Sequence, residues 1–534
     1  MEVQNYKSLS QALWNSANIL RSKMDANEYK DYLLGIIFYK YLSDRMLVEA
    51  ADLLEIPIQN LEEAQKAYSE AYEDEDIHDD LIFNLKDSFS YTIEPQLTFT
   101  KLVQDIRKGK FLLEDLKQGF RNIEQSSELY ENLFSDVDLD SRRLGNTYQK
   151  QNETIASIMM ELSSLNLAHQ GDVLGDAYEY LIGQFASDSG KKAGEFYTPQ
   201  AVSQLMTRIV LLGKENQKGF TVYDPTCGSG SLLLNVKKFS NEPGTAQYFG
   251  QELNNSTFNL ARMNMILHGV DEANHFLNNA DTLDDDWPVD EPTNFDAVLM
   301  NPPYSAHWTA NKGFLDDPRF AMYGVLAPKS KADMAFMLHG YYHLKPDGVM
   351  AIVLPHGVLF RGGAEGKIRK KLLELGAIDT VIGLPEKIFF NTSIPTTVII
   401  LKKNRTHKDV YFIDASQTFT KEKNQNILEE SHIDQIIEAY KKREFIDKYA
   451  YLATFEKVAE NDFNLNIPRY VDTFEEEEPI NMAEVMQEIR SIDQEIKDAE
   501  NELQQMFDQL VGTTPEAQAE LEQFRLLLGG GSLE

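Results

Sequence analysis

Val298-Leu-Met300 runs directly into Asn301-Pro-Pro-Tyr304, and this junction constrains the fold more than any other stretch. Phe295 to Met300 suits a central parallel strand, which is largely apolar because both faces of such a sheet are covered. Pro302 and Pro303 lack the N–H that a sheet requires, so pairing ends there. Each also disfavours the helical region for the residue before it, which holds Asn301 and Pro302 extended. A stiff backbone thus presents an amide and a ring at the carboxyl end of a strand, where open α/β sheets bind ligands. Taken alone, the four residues fit two descriptions equally. One is a strand ending in a Pro-rich turn, with Tyr304 as a wall residue. The other is a clamp for an exocyclic amine. In it the Asn301 side-chain oxygen and the Pro302 carbonyl accept the amine hydrogens, localising its lone pair, while Tyr304 offers a face to a flat base.

The stretches before the junction supply the rest of an α/β pattern. Phe220 to Tyr223 reads as a strand, followed by Asp224-Pro-Thr-Cys-Gly-Ser-Gly230 and a helix from Ser231 to Phe239. A Gly-rich turn between strand and helix cradles a nucleotide-like ligand. This one lacks the Lys-Ser/Thr ending of a phosphate loop, which argues against a nucleoside triphosphate. Asp224 ends its strand with a carboxylate suited to a cationic amine. Glu252 ends the next strand, Gln247 to Gln251, where a carboxylate accepts from ribose hydroxyls. Asp281 follows a third, near His275 to Leu277, where it can accept from an adenine amino group. A lone acid at a strand end is commonly a solvated loop charge; three after successive strands are harder to dismiss. Upstream, Thr198 is expected to cap a helix from about Gln200 to Leu212 with Pro199 at its first position. Cys227 reads as a packing residue, since no partnered histidine accompanies it.

Around this centre the chain changes character. Residues 1–165 read as helical, with Leu9, Leu13, Trp14, Ala17 and Leu20 on one face. Residues 166–472 carry the α/β pattern, including further strands at Val349–Leu354, Ile378–Leu384 and Thr396–Leu401, after which only an acidic helical tail is expected. In residues 473–528 the apolar positions Met482, Val485, Ile489, Ile492, Ile496, Ala499, Leu503, Met506 and Leu510 alternate spacings of three and four, a coiled-coil seam that either packs on the body of the chain or grips a partner helix. Residues 529–534 are set aside as a possible cloning remnant. The long segment from Ser305 to Lys331 is locally basic (Lys312, Arg319, Lys329, Lys331) and is expected to lie near DNA. Phe390, in a second aromatic-plus-Pro loop, is a candidate for the other face of an extruded base. His339, His343 and His356 show no metal-ligand spacing, and no metal is expected.

The net charge of −34 sharpens the question of partners. Phosphate neutralisation supplies most nucleic-acid affinity, so a chain this acidic should hold DNA poorly by itself. The single cysteine excludes an intrachain disulfide. No apolar run is long enough to span a bilayer and the start carries no signal-peptide pattern, which together favour a cytoplasmic protein.

Gly194-Glu-Phe-Tyr-Thr-Pro199, Asp224-Pro-Thr-Cys-Gly-Ser-Gly230 and Asn301-Pro-Pro-Tyr304, in that order, resemble the modification subunit of type I restriction-modification systems, an N6-adenine DNA methyltransferase of the gamma motif order. Leu174-Gly-Asp-Ala-Tyr-Glu-Tyr-Leu181 and the helical first region are also similar to this family, and the resemblance spans nearly the whole chain. Asn-Pro-Pro-Tyr alone is weak, because methyltransferases acting on protein glutamine carry it too. The resemblance implies a Rossmann-like methyltransferase domain between an all-helical N-terminal domain and a coiled-coil-like tail. It implies S-adenosyl-L-methionine as donor, held by Glu195, Phe196, Tyr197, Thr198, Pro199, Gln200, by Asp224, Thr226, Gly228, Ser229 and Gly230, and by Glu252 and Asp281. It implies catalysis on a flipped adenine by Asn301, Pro302, Pro303 and Tyr304. It implies a specificity subunit that reads the sequence, two modification subunits per specificity subunit, double-stranded DNA engaged through the complex, and a restriction motor-nuclease subunit in the full assembly.

Overall fold

The computed structural model describes residues 9–11, 13–21, 23–168, 171–188, 198–389, 394–422, 425–473 and 482–528. By contacts the chain divides into two units, Met1–Asp472 and Thr473–Glu534.

The first unit begins with helices: α1 Ala26–Leu53, α2 Leu61–Glu73, α3 His78–Phe89, α4 Phe99–Arg107, α5 Leu113–Glu124, α6 Tyr148–Leu162 and α7 Gly171–Asp188. The long α1 is buried on most sides, and even its Lys40–Asp44 ion pair (2.7 Å) is fully enclosed. Leu9, Leu13, Ala17 and Leu20 are buried, as their spacing requires. Asp79 and Asp80 occupy the first turn of α3, where carboxylates favour the helix dipole.

Helix α8, Gln200–Leu211, leads into β1 Thr221–Asp224, α9 Ser231–Phe239, β2 Gln247–Glu252, α10 Asn255–Leu267, β3 His275–Asn279 and β4 Phe295–Met300. Then follow α11 Asp333–Tyr342, β5 Leu344–Pro355, α12 Gly363–Glu374, β6 Ile378–Gly383, β7 Thr396–Lys402, β8 Val410–Asp414, α13 Glu430–Lys442 and β9 Ala450–Ala453. These nine strands form one sheet in the order β9-β8-β6-β7-β5-β4-β1-β2-β3, while Thr420–Lys421 and Asn426–Ile427 pair separately. The pairs among β5, β4, β1, β2 and β3 are parallel, whereas β7 lies antiparallel between β5 and β6. The order runs outward from β1 to β3 and then returns to β4 on the other side of β1. That reversal makes a crevice at the carboxyl ends of β1 and β4. Strand β4 is buried at every position because helices cover both faces.

The expectation of only a helical tail after β7 is corrected: β8, α13 and β9 intervene. Val410-Tyr-Phe-Ile is a short apolar run flanked by charge, and its parallel pairing with β6 and antiparallel pairing with β9 give it a place. Lys345-Pro-Asp-Gly348 lies within β5, where the register against β4 shifts. The helical region is joined to the sheet region through α10. Its Leu260, Met263, Ile266 and Leu267 belong to the core built around Leu33, Ile37 and Tyr178. Gly175 of α7 lies so close to α10 that an added Cβ would stand 2.6 Å from the His268 ring.

The second unit is a helical hairpin, α14 Met482–Asp508 and α15 Pro515–Leu528, with Phe507 stacked on Phe524 at 6.1 Å. The seam is uncovered: Met482, Ile489, Ile492, Ile496, Leu503 and Met506 are all exposed.

Among the described residues no helix is long and apolar enough to cross a membrane.

Candidate active site

A cavity of about 420 Å³ opens at the carboxyl ends of the central strands. Thr198, Asp224, Thr226, Gly228, Ser229, Glu252, Asp281, Asn301 and Pro303 all line it, so the acidic strand ends and the Asn-Pro element share one chamber.

The Gly-rich turn is held from below. Cys227 N–H donates to the Gln251 carbonyl (2.9 Å), and Asn264 Nδ2 of α10 donates to the Ser229 carbonyl (3.0 Å). Gly230, at φ 83°, turns the chain into α9, a conformation glycine adopts without Cβ strain. Glu252 accepts from Gly228 N–H (3.0 Å) and Asn254 N–H (2.8 Å), which locks the turn to β2. Burial pushes the Glu252 carboxyl up despite these bonds.

Asp224 is the electrostatic centre. One oxygen accepts from Thr226 N–H (3.0 Å), while the other, Oδ2, is buried with no partner among the described residues. Burial, with Glu252 adding to it, raises its carboxyl to about 8. An enclosed carboxylate with a vacant acceptor inside a ligand-sized cavity is the environment that a cationic group relieves.

Asn301, only 7% exposed, shows the same pattern. Its Nδ2 donates to Thr198 Oγ1 (3.1 Å), and its Oδ1 is buried without a partner among the described residues. The bond turns the amide so that its acceptor is left free. Thr198 therefore does not cap the following helix: α8 begins at Gln200 with Pro199 at the capping position and no side-chain cap. The threonine hydroxyl is committed across the site instead.

Other expected residues lie elsewhere. Gln200 does not line the cavity; its amide donates to Glu179 (2.7 Å) and accepts from Asn235 (3.0 Å), sealing α8 against α7 and α9. Pro199 and Gln200 border a separate, smaller cavity. Pro302 is buried, and Tyr304 packs edge-on against Phe389, with ring centroids 6.0 Å apart. Phe389 is thus the described ring beside Tyr304. Glu195, Phe196, Tyr197 and Phe390 lie outside the described residues. Phe336, Leu253, Asn254 and Asn255 also line the chamber, in addition to the residues expected from the sequence. The last three directly follow Glu252, which was a usable signal; Phe336 arrives on the distant α11.

The segment after Tyr304 is a packed loop. Trp308 stacks on Phe314 (5.5 Å) and donates from its indole to the Pro328 carbonyl (3.1 Å). Arg319, expected to be available to DNA, is 2% exposed. It donates to the Thr282 and Leu283 carbonyls, to Asp317 and to His339 Nδ1, and so braces the wall that carries Asp281. Lys312 and Lys329 remain exposed. His339 and His343 come together with Asp286, within metal-ligand reach of one another. They are already engaged: His339 Nε2 meets the Tyr223 hydroxyl (3.0 Å), and His343 meets Asp286 (2.8 Å) and the Thr293 carbonyl (2.6 Å). The buried Arg319 guanidinium beside them opposes a cation.

Comparison with known proteins agrees with this geometry. Residues 169–479 match the N-6 DNA Methylase family, and residues 9–162 match the HsdM N-terminal domain. The chain is 34% identical to the type I restriction enzyme MpnII methylase subunit of Mycoplasma pneumoniae, over 93% of this chain and 96% of that relative. A crystal structure of the type I restriction-modification system methyltransferase subunit from Streptococcus thermophilus is 69% identical, with a TM-score of 0.86, and covers 88% of this chain and 100% of its own. A structure from a study of complex assembly and conformational transition of the type I R-M system shares the fold at 20% identity, with a TM-score of 0.57, covering 95% of this chain and 99% of that one. The chain therefore belongs to the N-6 DNA methylase family, as a methylase subunit of the type I restriction-modification kind.

Proposed function

We propose that this subunit transfers a methyl group from S-adenosyl-L-methionine to the N6 amine of an adenine flipped out of double-stranded DNA, acting with a specificity subunit that selects the site. The observation that carries this reading is the pair of vacant buried acceptors in one chamber, Asp224 Oδ2 and Asn301 Oδ1. The first suits the ammonium end of the donor, and the second suits a substrate amine. S-adenosyl-L-methionine supplies an electrophilic methyl on a sulfonium.

The chain's own residues do the rest. Thr226, Gly228 and Ser229 would hold the donor, with Glu252 and Asp281 as acceptors for its ribose and adenine. Asn301 Oδ1 and the Pro302 carbonyl accept the two amine hydrogens of the target base. That draws the nitrogen lone pair out of the ring and aims it into the chamber. Tyr304, braced by Phe389, offers its face to the base.

The partner follows from charge and from the tail. A net charge of −34 favours a second subunit that adds phosphate affinity. The exposed seam of α14 suits a partner helix, which we assign to the specificity subunit, in a complex of two methylase subunits to one specificity subunit that a motor-nuclease subunit joins for restriction. The site of action is the cytoplasm.

Methyl transfer to genomic DNA, with and without the co-expressed specificity subunit, tests the proposal. N6-methyladenine only when the partner is present is the expected result, and Asn301→Ala should abolish it while the donor still binds. Methylation of a protein glutamine, or full activity of Asn301→Ala, would overturn the reading.

A further inference from the structure

The helical region holds a second open cleft, of about 490 Å³, that the chemistry above does not use. Lys23, Arg142, Arg143 and Lys150 line it, all four exposed, with Glu153 as the one acidic side chain among the lining residues. Such a cluster is unexpected in a chain with 85 acidic residues against 51 lysines and arginines. Arg143 is paired with Glu28. Among the described residues, Lys23, Arg142 and Lys150 have no carboxylate within ion-pair distance. Lys23 Nζ donates instead to a neutral group, Thr154 Oγ1 (2.5 Å).

The cleft is built on a firm base. Thr154 Oγ1 is also 2.8 Å from the Leu144 carbonyl, on which its hydroxyl can donate, tying α6 to the segment that carries the arginines. Gly145 lies so close to the first turn of α6 that an added Cβ would stand 2.8 Å from the Lys150 carbonyl carbon. Thr147 caps that helix by accepting from Lys150 N–H (3.3 Å). The arginine segment is also anchored to the rim of the active site. Asp136 accepts from Asn259 (2.8 Å) and from Asn255 (3.2 Å), and Asn255 lines the catalytic chamber. Only a short stretch of chain separates Asp136 from Arg142, and even fully extended it spans about 20 Å. That is less than one turn of B-DNA, about 34 Å.

We propose that this cleft is a phosphate-contact site for the DNA backbone, which holds the same duplex whose base enters the catalytic chamber. The inference rests on the DNA-methylating reading above. The open form of the cleft and its exposed, flexible cations suit a phosphodiester chain passing across it. They position the duplex without reading its bases.

The test uses the chain assembled with its specificity subunit and a duplex containing the methylation site, and measures affinity across a salt series. Each phosphate contact contributes about 0.9 to the slope of log affinity against log salt. The double substitution Arg142→Gln, Lys150→Gln should therefore flatten that slope by about 1.8. It should weaken cognate and unrelated duplexes by the same factor and leave S-adenosylmethionine binding and the melting temperature unchanged. An unchanged slope, or weakening of the cognate duplex alone, would overturn the proposal. So would inorganic triphosphate that binds the isolated chain at this cleft without competing with DNA. A wild-type complex that methylates DNA while the variant slope is unaltered refutes this inference alone; a wild-type complex that neither holds nor methylates DNA refutes both.

Discussion

Thr198→Val removes one oxygen and leaves the side-chain shape nearly intact. In the wild type, Asn301 Nδ2 donates to Thr198 Oγ1 at 3.1 Å, with Thr198 8% and Asn301 7% exposed. Without the hydroxyl, a buried donor is stranded, at a cost of about 1–3 kcal/mol. The amide also loses what distinguishes its two orientations. In the reversed one it presents Nδ2, a donor, where the amine hydrogens require an acceptor. Since about 1.4 kcal/mol corresponds to tenfold in rate, the methyl-transfer rate should fall roughly tenfold to a hundredfold. Single-turnover transfer of labelled methyl to duplex DNA reads the rate, and calorimetric titration with S-adenosylmethionine reads donor affinity. The expected result is a loss in rate with donor affinity within about threefold of wild type, and recovery of most activity in Thr198→Ser. A variant that turns over normally would refute the reasoning, as would one whose whole defect lies in donor affinity.

The remaining predictions concern the walls of the chamber. The Asp224 carboxyl is held up at about 8 by burial and by Glu252, whereas in the unfolded chain it titrates near the ordinary value of about 4. Between these values the folded state binds the extra proton, so the ligand-free protein should lose stability as pH rises from about 5 to 8. Asp224→Asn should flatten that part of the melting profile. A cationic donor favours the ionised carboxylate, so binding at pH 7 should release a proton, seen as a buffer-dependent heat in calorimetry; heats independent of buffer would contradict it. Arg319→Met strands the Thr282 and Leu283 carbonyls and the Asp317 carboxylate, so it should cost about 3 kcal/mol and weaken donor binding through the Thr282 wall. Denaturant unfolding and donor titration measure the two effects. Gly175→Ala forces a methyl against the His268 ring and should destabilise the helix contact by about 1–3 kcal/mol, read as a lower melting temperature.

Much of the site was legible because its chemistry sits at strand ends. Asp224, Glu252, Asp281 and Asn301 each follow a short strand, and parallel pairing carries all four ends to one edge. What escaped was decided by contacts between distant segments. Gln200 lies beside the expected motif, yet Glu179 and Asn235 draw its side chain into a helix seam. Arg319 counted as a surface cation in the sequence, but the carbonyls after β3 enclose it. Phe389 packs against Tyr304, a contact that no periodicity announces in an irregular loop. Strands β8 and β9 were missed because runs of four or five residues carry little pattern of their own until a neighbouring strand pairs with them.

The sequence by itself determined the α/β layout, the ligand-binding edge, the acidic strand ends and the stiff Asn-Pro-Pro-Tyr terminus, since apolar runs, prolines and glycines act locally. Only the tertiary structure decided which atoms in that chamber are left unsatisfied. Asn301 and Thr198 are 103 residues apart, and nothing local to either predicts that the threonine takes the amide's donor and leaves its acceptor free. The same holds for Asp224, which is fully buried yet whose second oxygen has no partner among the described residues. Residue types follow from the chain, but burial and the leftover valence of each polar atom are properties of the packed whole.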